Sequence, residues 1–187
     1  MTQLKCEQLS LKGLFSVERL QRVDSRGSFT RLFCDEELSS IGWRSSIKQI
    51  NMTKTNNRGT LRGLHYQNQP HSEIKIVSCL KGAIWDVVVD LRMDSDTFLQ
   101  WHSEILNEEN QLSLYIPQGF AHGFQTLTPD AEVLYFHSAS YNANAEAGLR
   151  YDDPILNVNW PMEVTEISTR DLNHPSLSME FKGVKLE

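Results

Sequence analysis

The chain has 187 residues, 40% hydrophobic and 22% charged, which suits a globular domain with a sizeable core. Its 24 acidic residues against 18 Lys and Arg give a net charge of −6, which argues against a dominant basic surface and so against nucleic acid as a partner. No stretch nears the roughly 18 apolar residues of a membrane helix, and the opening residues, MTQLKCEQLSLKGLF, carry no apolar run of the signal-peptide kind.

Residues 1–187 read as one domain, with no linker, low-complexity segment or repeat of fixed period. In chain order, Asp35 to Ser40 is a short helix candidate. Ile74 to Leu80, IKIVSCL, is a β-branched run closed by Lys81-Gly82, and Ala83 to Leu91, AIWDVVVDL, follows at once. Within the latter, Ile84, Asp86, Val88 and Asp90 share one face while Trp85, Val87 and Val89 share the other. Phe98 to Ile105, Gln111 to Ile116 and Glu132 to His137 are further strands, separated by turn signals such as Pro117-Gln118-Gly119 and Thr128-Pro129-Asp130. The last third holds one or two helical turns. Strands at roughly ten-residue spacing indicate an all-β sandwich or barrel and not alternating βα units. Cys6, Cys34 and Cys79 fit no zinc or redox spacing, so reduced thiols in a cytoplasm are expected.

Three clusters carry chemistry: RGTLRGLHYQ at 58–67, IPQGFAHGF at 116–124 and AEVLY at 131–135. The Pro-x-Gly-x-x-His of Pro117 to His122 resembles the second motif of the cupin barrels, which supplies a metal-binding histidine. The matching first motif should give His-x-His and a nearby Glu; here it is His65-Tyr66-Gln67 with Lys75 downstream. An ammonium beside a divalent ion is unfavourable, so no metal is expected. Histidine and lysine suit a different reaction. A neutral imidazole takes a proton, an ammonium stabilises an oxyanion forming on a carbonyl oxygen, and together they make an enolate from a ketone. A tyrosine on the opposite side would return the proton to the other face, and Arg62 would hold a phosphate. The bland readings are a strand histidine satisfied by backbone for His65, a turn cap for His122, barrel packing for Tyr135, a solvated Lys75, a helix cap for Asp171 and a surface charge for Arg31. His71, His102, His137 and His174 show no assembled partners and read as surface or structural, and Trp85, Trp101, Phe120 and Phe124 as core or pocket wall.

LRGLHYQ, the single Lys75, WDVVVDLR, YIPQGFAHGF, AEVLY and GLRYDDPILNVNWP, in order from about Arg26 to Asp171, closely resemble the dTDP-4-dehydrorhamnose 3,5-epimerase family. The resemblance implies a cupin-like jelly-roll barrel (a double-stranded β-helix) with few short helices. It implies a cytoplasmic homodimer with N-terminal strands contributing across the interface, and an isomerase of deoxysugar biosynthesis such as supplies O-antigen. The substrate is a nucleotide-diphospho-sugar with a 4-keto-6-deoxy ring, and no cofactor or metal is implied. His65 matches the base, Asp171 the carboxylate that orients it, Tyr135 the proton donor, and Lys75 and His122 the groups around the ketone. Arg62 matches a pyrophosphate contact, Arg26 another substrate contact, Gln49 and Asn51 the nucleotide-side pair, and Glu146 a further substrate contact; Arg170 keeps the charge of a lysine found in some members. The chain departs from the pattern at Arg31, commonly Glu; at Ser140-Tyr141, often two tyrosines; and at Phe136-His137, where Lys usually follows the tyrosine. These changes lie where the nucleotide or outer sugar would be read, so the base and the number of carbons inverted stay open. A C3-only epimerase, a non-thymidine nucleotide, a non-catalytic sugar-nucleotide barrel and a metal-dependent cupin are the alternatives.

Overall fold

The computed structural model describes residues 2–186. The chain runs through β1 (Leu4–Gln8), β2 (Phe15–Arg19), β3 (Gln21–Asp24), β4 (Gly27–Thr30), α1 (Asp35–Leu38, continued by a 3-10 turn at Ser39–Ile41), β5 (Gln49–Thr55), β6 (Thr60–Gln67), β7 (Lys75–Lys81) and β8 (Ala83–Asp90). It continues through β9 (Trp101–Asn107), β10 (Leu112–Ile116), β11 (Phe120–Thr126), β12 (Ala131–His137), β13 (Glu146–Gly148), β14 (Glu166–Ile167) and α2 (Thr169–Leu172). One sheet has the order β1-β2-β10-β7-β12-β5 and the other β13-β6-β11-β8-β9, with β14 parallel to β6 and β3-β4 a separate hairpin. The two antiparallel sheets pack as a cupin-like jelly roll. No helix among the described residues is long and apolar enough to cross a membrane.

Gly82 does not close a hairpin between the two consecutive β-branched runs. At φ +72°, it passes the chain from β7 in the first sheet to β8 in the second. β8 is buried on both faces from Asp86 to Asp90, so its run is apolar apart from the two buried aspartates. Ile84 and Val88 face inward with Val77, Leu114, Phe124 and Val133. Val87 and Val89 face outward beneath Leu149, Leu156 and Val184 of the C-terminal segment. The outer face of the first sheet is covered by α1 and its surroundings, where Leu38 and Trp43 pack on Ile76 and Phe136. Burying each such side chain is worth about 1.5–3 kcal/mol.

The strand expected at Phe98 begins three residues later, at Trp101. Phe98–Gln100 is a turn instead: Leu99 has φ +60°, and Ser95 and Thr97 both donate to Asp90 at 2.6 Å. Arg31 is structural, bonded to Glu37, whose other oxygen accepts the Gln3 and Leu4 N–H groups at 2.8 Å.

Candidate active site

A cleft of about 420 Å³ opens between the sheets. β6 and β11 supply one wall, where His65 and His122 are register partners. The register shifts between His122 and Phe124, leaving an extra residue on β6. Such a bulge sets Arg62 and His65, three residues apart, along one cleft, where a regular strand would alternate them. Gly63 lies in it with φ +120°, and a Cβ there would sit 2.5 Å from the Gly123 Cα.

His65 Nε2 donates to Asp171 Oδ1 at 2.9 Å, leaving Nδ1 as the ring's open acceptor. Asp171 does not cap α2. Ser168 does that, accepting the Asp171 N–H at 3.0 Å, so the buried carboxylate is free to hold His65 and the Gly63 N–H at 3.1 Å. Burial alone would raise its pKa, but the contacts with His65, Gly63 and Ser168 outweigh that and hold it well below the usual carboxylate range. His122 Nε2 lies 2.8 Å from Asp86 Oδ2. Burial pushes the Asp86 carboxyl up against the pull of His122.

β12 and β7 form the facing wall. Tyr135 projects inward with its hydroxyl 3.4 Å from Thr53 Oγ1, and burial pushes its phenol far above the ordinary value. Its ring meets that of His122 edge-on at 6.3 Å. Lys75 is turned into the cleft, where its Nζ sits 3.1 Å from Glu73 Oε1. Glu73 Oε2 accepts from His137 Nδ1 at 2.8 Å. Burial raises the Glu73 carboxyl, but His137 and Lys75 prevail and keep it low. At the mouth, Arg170 Nη1 reaches Glu146 at 3.0 and 3.2 Å, and the Tyr141 hydroxyl donates to Glu146 at 2.9 Å. Arg62 Nε donates to Thr55 at 3.0 Å.

Of the residues expected at the site, His65, Asp171, Tyr135, Lys75, His122, Arg62, Asn51, Glu146 and Arg170 line this cleft. Gln49 does not; its amide accepts the Tyr141 N–H behind the mouth. Nor is Arg26 brought there by its own chain: it sits on the β3-β4 hairpin, its side chain 87% exposed and paired with Asp24.

Two histidines that read as surface or structural have partners at or beside the cleft. His137 lines the cleft, and the His174 ring lies edge-on to His65 at 5.6 Å over Gly148, the register partner of His65. Their partners are distant in sequence, which hid them. Asp86 and Glu73 were missed too, although a carboxylate on the Ile84–Val88 face was a usable signal. His65, Asp171 and His174 offer ligand atoms within 4.8 Å of one another, but the Arg170 guanidinium, 3.4 Å from the shared carboxylate, opposes a cation there.

The family model for dTDP-4-dehydrorhamnose 3,5-epimerase matches residues 8–179. The chain belongs to the dTDP-4-dehydrorhamnose 3,5-epimerase family. A member of this family from Sinorhizobium fredii is 38% identical over 87% of this chain and 86% of its own length. The Bacillus anthracis dTDP-4-dehydrorhamnose 3,5-epimerase, solved with TDP and PPi bound, superposes with a TM-score of 0.89 at 36% identity, covering 93% of this chain and 99% of that one. ChmJ, a 3'-monoepimerase from Streptomyces bikiniensis solved with dTDP-quinovose, gives 0.84 at 32% identity, covering 91% and 86%. The epimerase family thus spans enzymes named for two carbons and for one.

Proposed function

We propose that this protein is an isomerase that epimerises a nucleotide-linked 4-keto-6-deoxy sugar through an enolate. The observation that carries this reading is the opposition of His65, held by Asp171 in one wall of the cleft, and Tyr135 in the other, with Lys75 on the neighbouring strand of the Tyr135 wall. The ketone acidifies the hydrogens on its two neighbouring carbons. His65 Nδ1 removes one, and Asp171 stabilises the imidazolium that results. Lys75 and His122 hold the negative charge that grows on the ketone oxygen. Tyr135 donates to the opposite face of the carbon, inverting it. Arg62 and Arg170 bind the diphosphate. A barrel that only binds sugar nucleotides would need no matched acid and base on opposing walls.

The proposal includes a cytoplasmic homodimer in which the β3-β4 hairpin of one copy brings Arg26 to the other's substrate. Exposed apolar residues on that hairpin, Val23 and Phe29, and on edge strand β5, Ile50 and Met52, support it. Sedimentation at micromolar concentration should give twice the chain mass; a monomer would remove Arg26 from the site.

A general base contributes on the order of 10²–10⁴-fold, and one oxyanion donor about 10²–10³-fold. His65→Asn should therefore lose at least about 100-fold in kcat on a dTDP-4-keto-6-deoxy sugar, and Lys75→Met a similar factor. Wild-type kcat in both variants would defeat the assignment.

A further inference from the structure

The reaction above gives Glu73 and His137 no part, yet both line the cleft. His137 stands two residues beyond Tyr135 on β12, so both side chains rise from the same face of the strand. Their rings lie 6.0 Å apart at an interplanar angle of 23°. Glu73, its side chain 8% exposed, fixes Nδ1 of His137, and Nε2 makes no hydrogen bond among the described residues. His65 is built the same way: a buried carboxylate holds one ring nitrogen and the other is open. The two histidines belong to opposite sheets, His65 to β6 and His137 to β12. The substrate has two acidified carbons, one on each side of the ketone, and Tyr135 is a single donor.

We propose that the His137–Glu73 pair is a second general acid, protonating the carbon on the other side of the ketone from the one that Tyr135 serves. The inference rests on the epimerase reading and assigns inversion of both carbons. In the step itself, His65 has taken the proton of that carbon and its electron pair lies in the enolate. The Nε2–H bond of the His137 imidazolium breaks, the enolate pair forms the new C–H bond on the opposite face, and the ketone C=O is restored. His137 is left neutral; water receives the proton of His65 and returns one to His137, so nothing is oxidised or reduced. The groups facing His137 fit an acid. The Glu73 carboxylate lies 2.8 Å from His137 Nδ1 and is shared with the opposing Lys75 ammonium at 3.1 Å, and the remaining neighbour on the His137 strand is the uncharged Tyr135 phenol.

The test uses the full chain, a dTDP-4-keto-6-deoxy-glucose substrate and proton NMR of the product to read the configuration at C3 and C5 separately. His137→Asn should slow inversion at one carbon by about 100-fold while inversion at the other continues in the same sample, which also shows that the variant is folded. Glu73→Gln should slow the same carbon, by about tenfold. Equal slowing of both carbons, or of neither, overturns the proposal. So does a wild-type enzyme that inverts only one carbon, although the epimerase reading survives that outcome. A wild type that turns over no 4-keto sugar nucleotide instead removes the parent reading.

Discussion

Asp171 shows how one side chain is freed for a task. Its backbone N–H is taken by Ser168, so its carboxylate serves His65 and Gly63 instead of the helix end. Its folded pKa lies below the ordinary value, so its stabilisation is complete above the carboxylate range and is lost as pH falls through it. The melting temperature of the wild type should therefore drop more steeply between about pH 5 and 3 than that of Asp171→Asn; parallel curves would contradict this. In the proposed reaction Tyr135 acts after the base. Tyr135→Phe should lower inversion at its carbon by about 100-fold while His65 continues to exchange the α-hydrogens with solvent, read as deuterium incorporation without change of configuration. Loss of exchange together with inversion would give the phenol a different role. That His65, His122 and Tyr135 share a cleft was legible from the short motifs that hold them, and Lys75 from the strand that follows the first of these. Glu73, Asp86, His137 and His174 were not, because their meaning lies in contacts between strands.

At the scale of elements, β6 carries both Arg62 and His65 into the cleft. Its bulge depends on Gly63, whose Cβ position is blocked by Gly123 Cα at 2.5 Å and the His122 carbonyl at 2.8 Å. Gly63→Ala should cost on the order of 1–3 kcal/mol and lower kcat by displacing His65, measured by the denaturation midpoint and the turnover rate. Wild-type values for both would mean that the close approach is dispensable. β7, β8, β10 and β12 were legible to within a residue or two, since β-branched runs bounded by Gly, Pro and Asp state their own limits. β9 was placed too early because the Asp90 network turns Phe98–Gln100. The N-terminal strands are short and mixed in polarity, as β3 and β4 show by their almost complete exposure, and periodicity alone does not disclose them.

Over the whole molecule, two sheets face each other so that His65 and Tyr135 stand in opposite walls of one cleft, as the proposed acid and base require. Phe124, with one face in the core between those sheets, also lines the cleft, so the packing that stabilises the barrel also fixes the distance across it. The most direct measurement is proton NMR of the wild-type protein turning over a dTDP-4-keto-6-deoxy sugar in deuterated water. Replacement of hydrogen by deuterium at both carbons beside the ketone, with inverted configuration, is the predicted result. A substrate that keeps both hydrogens and both configurations would contradict an acid and a base working across this cleft.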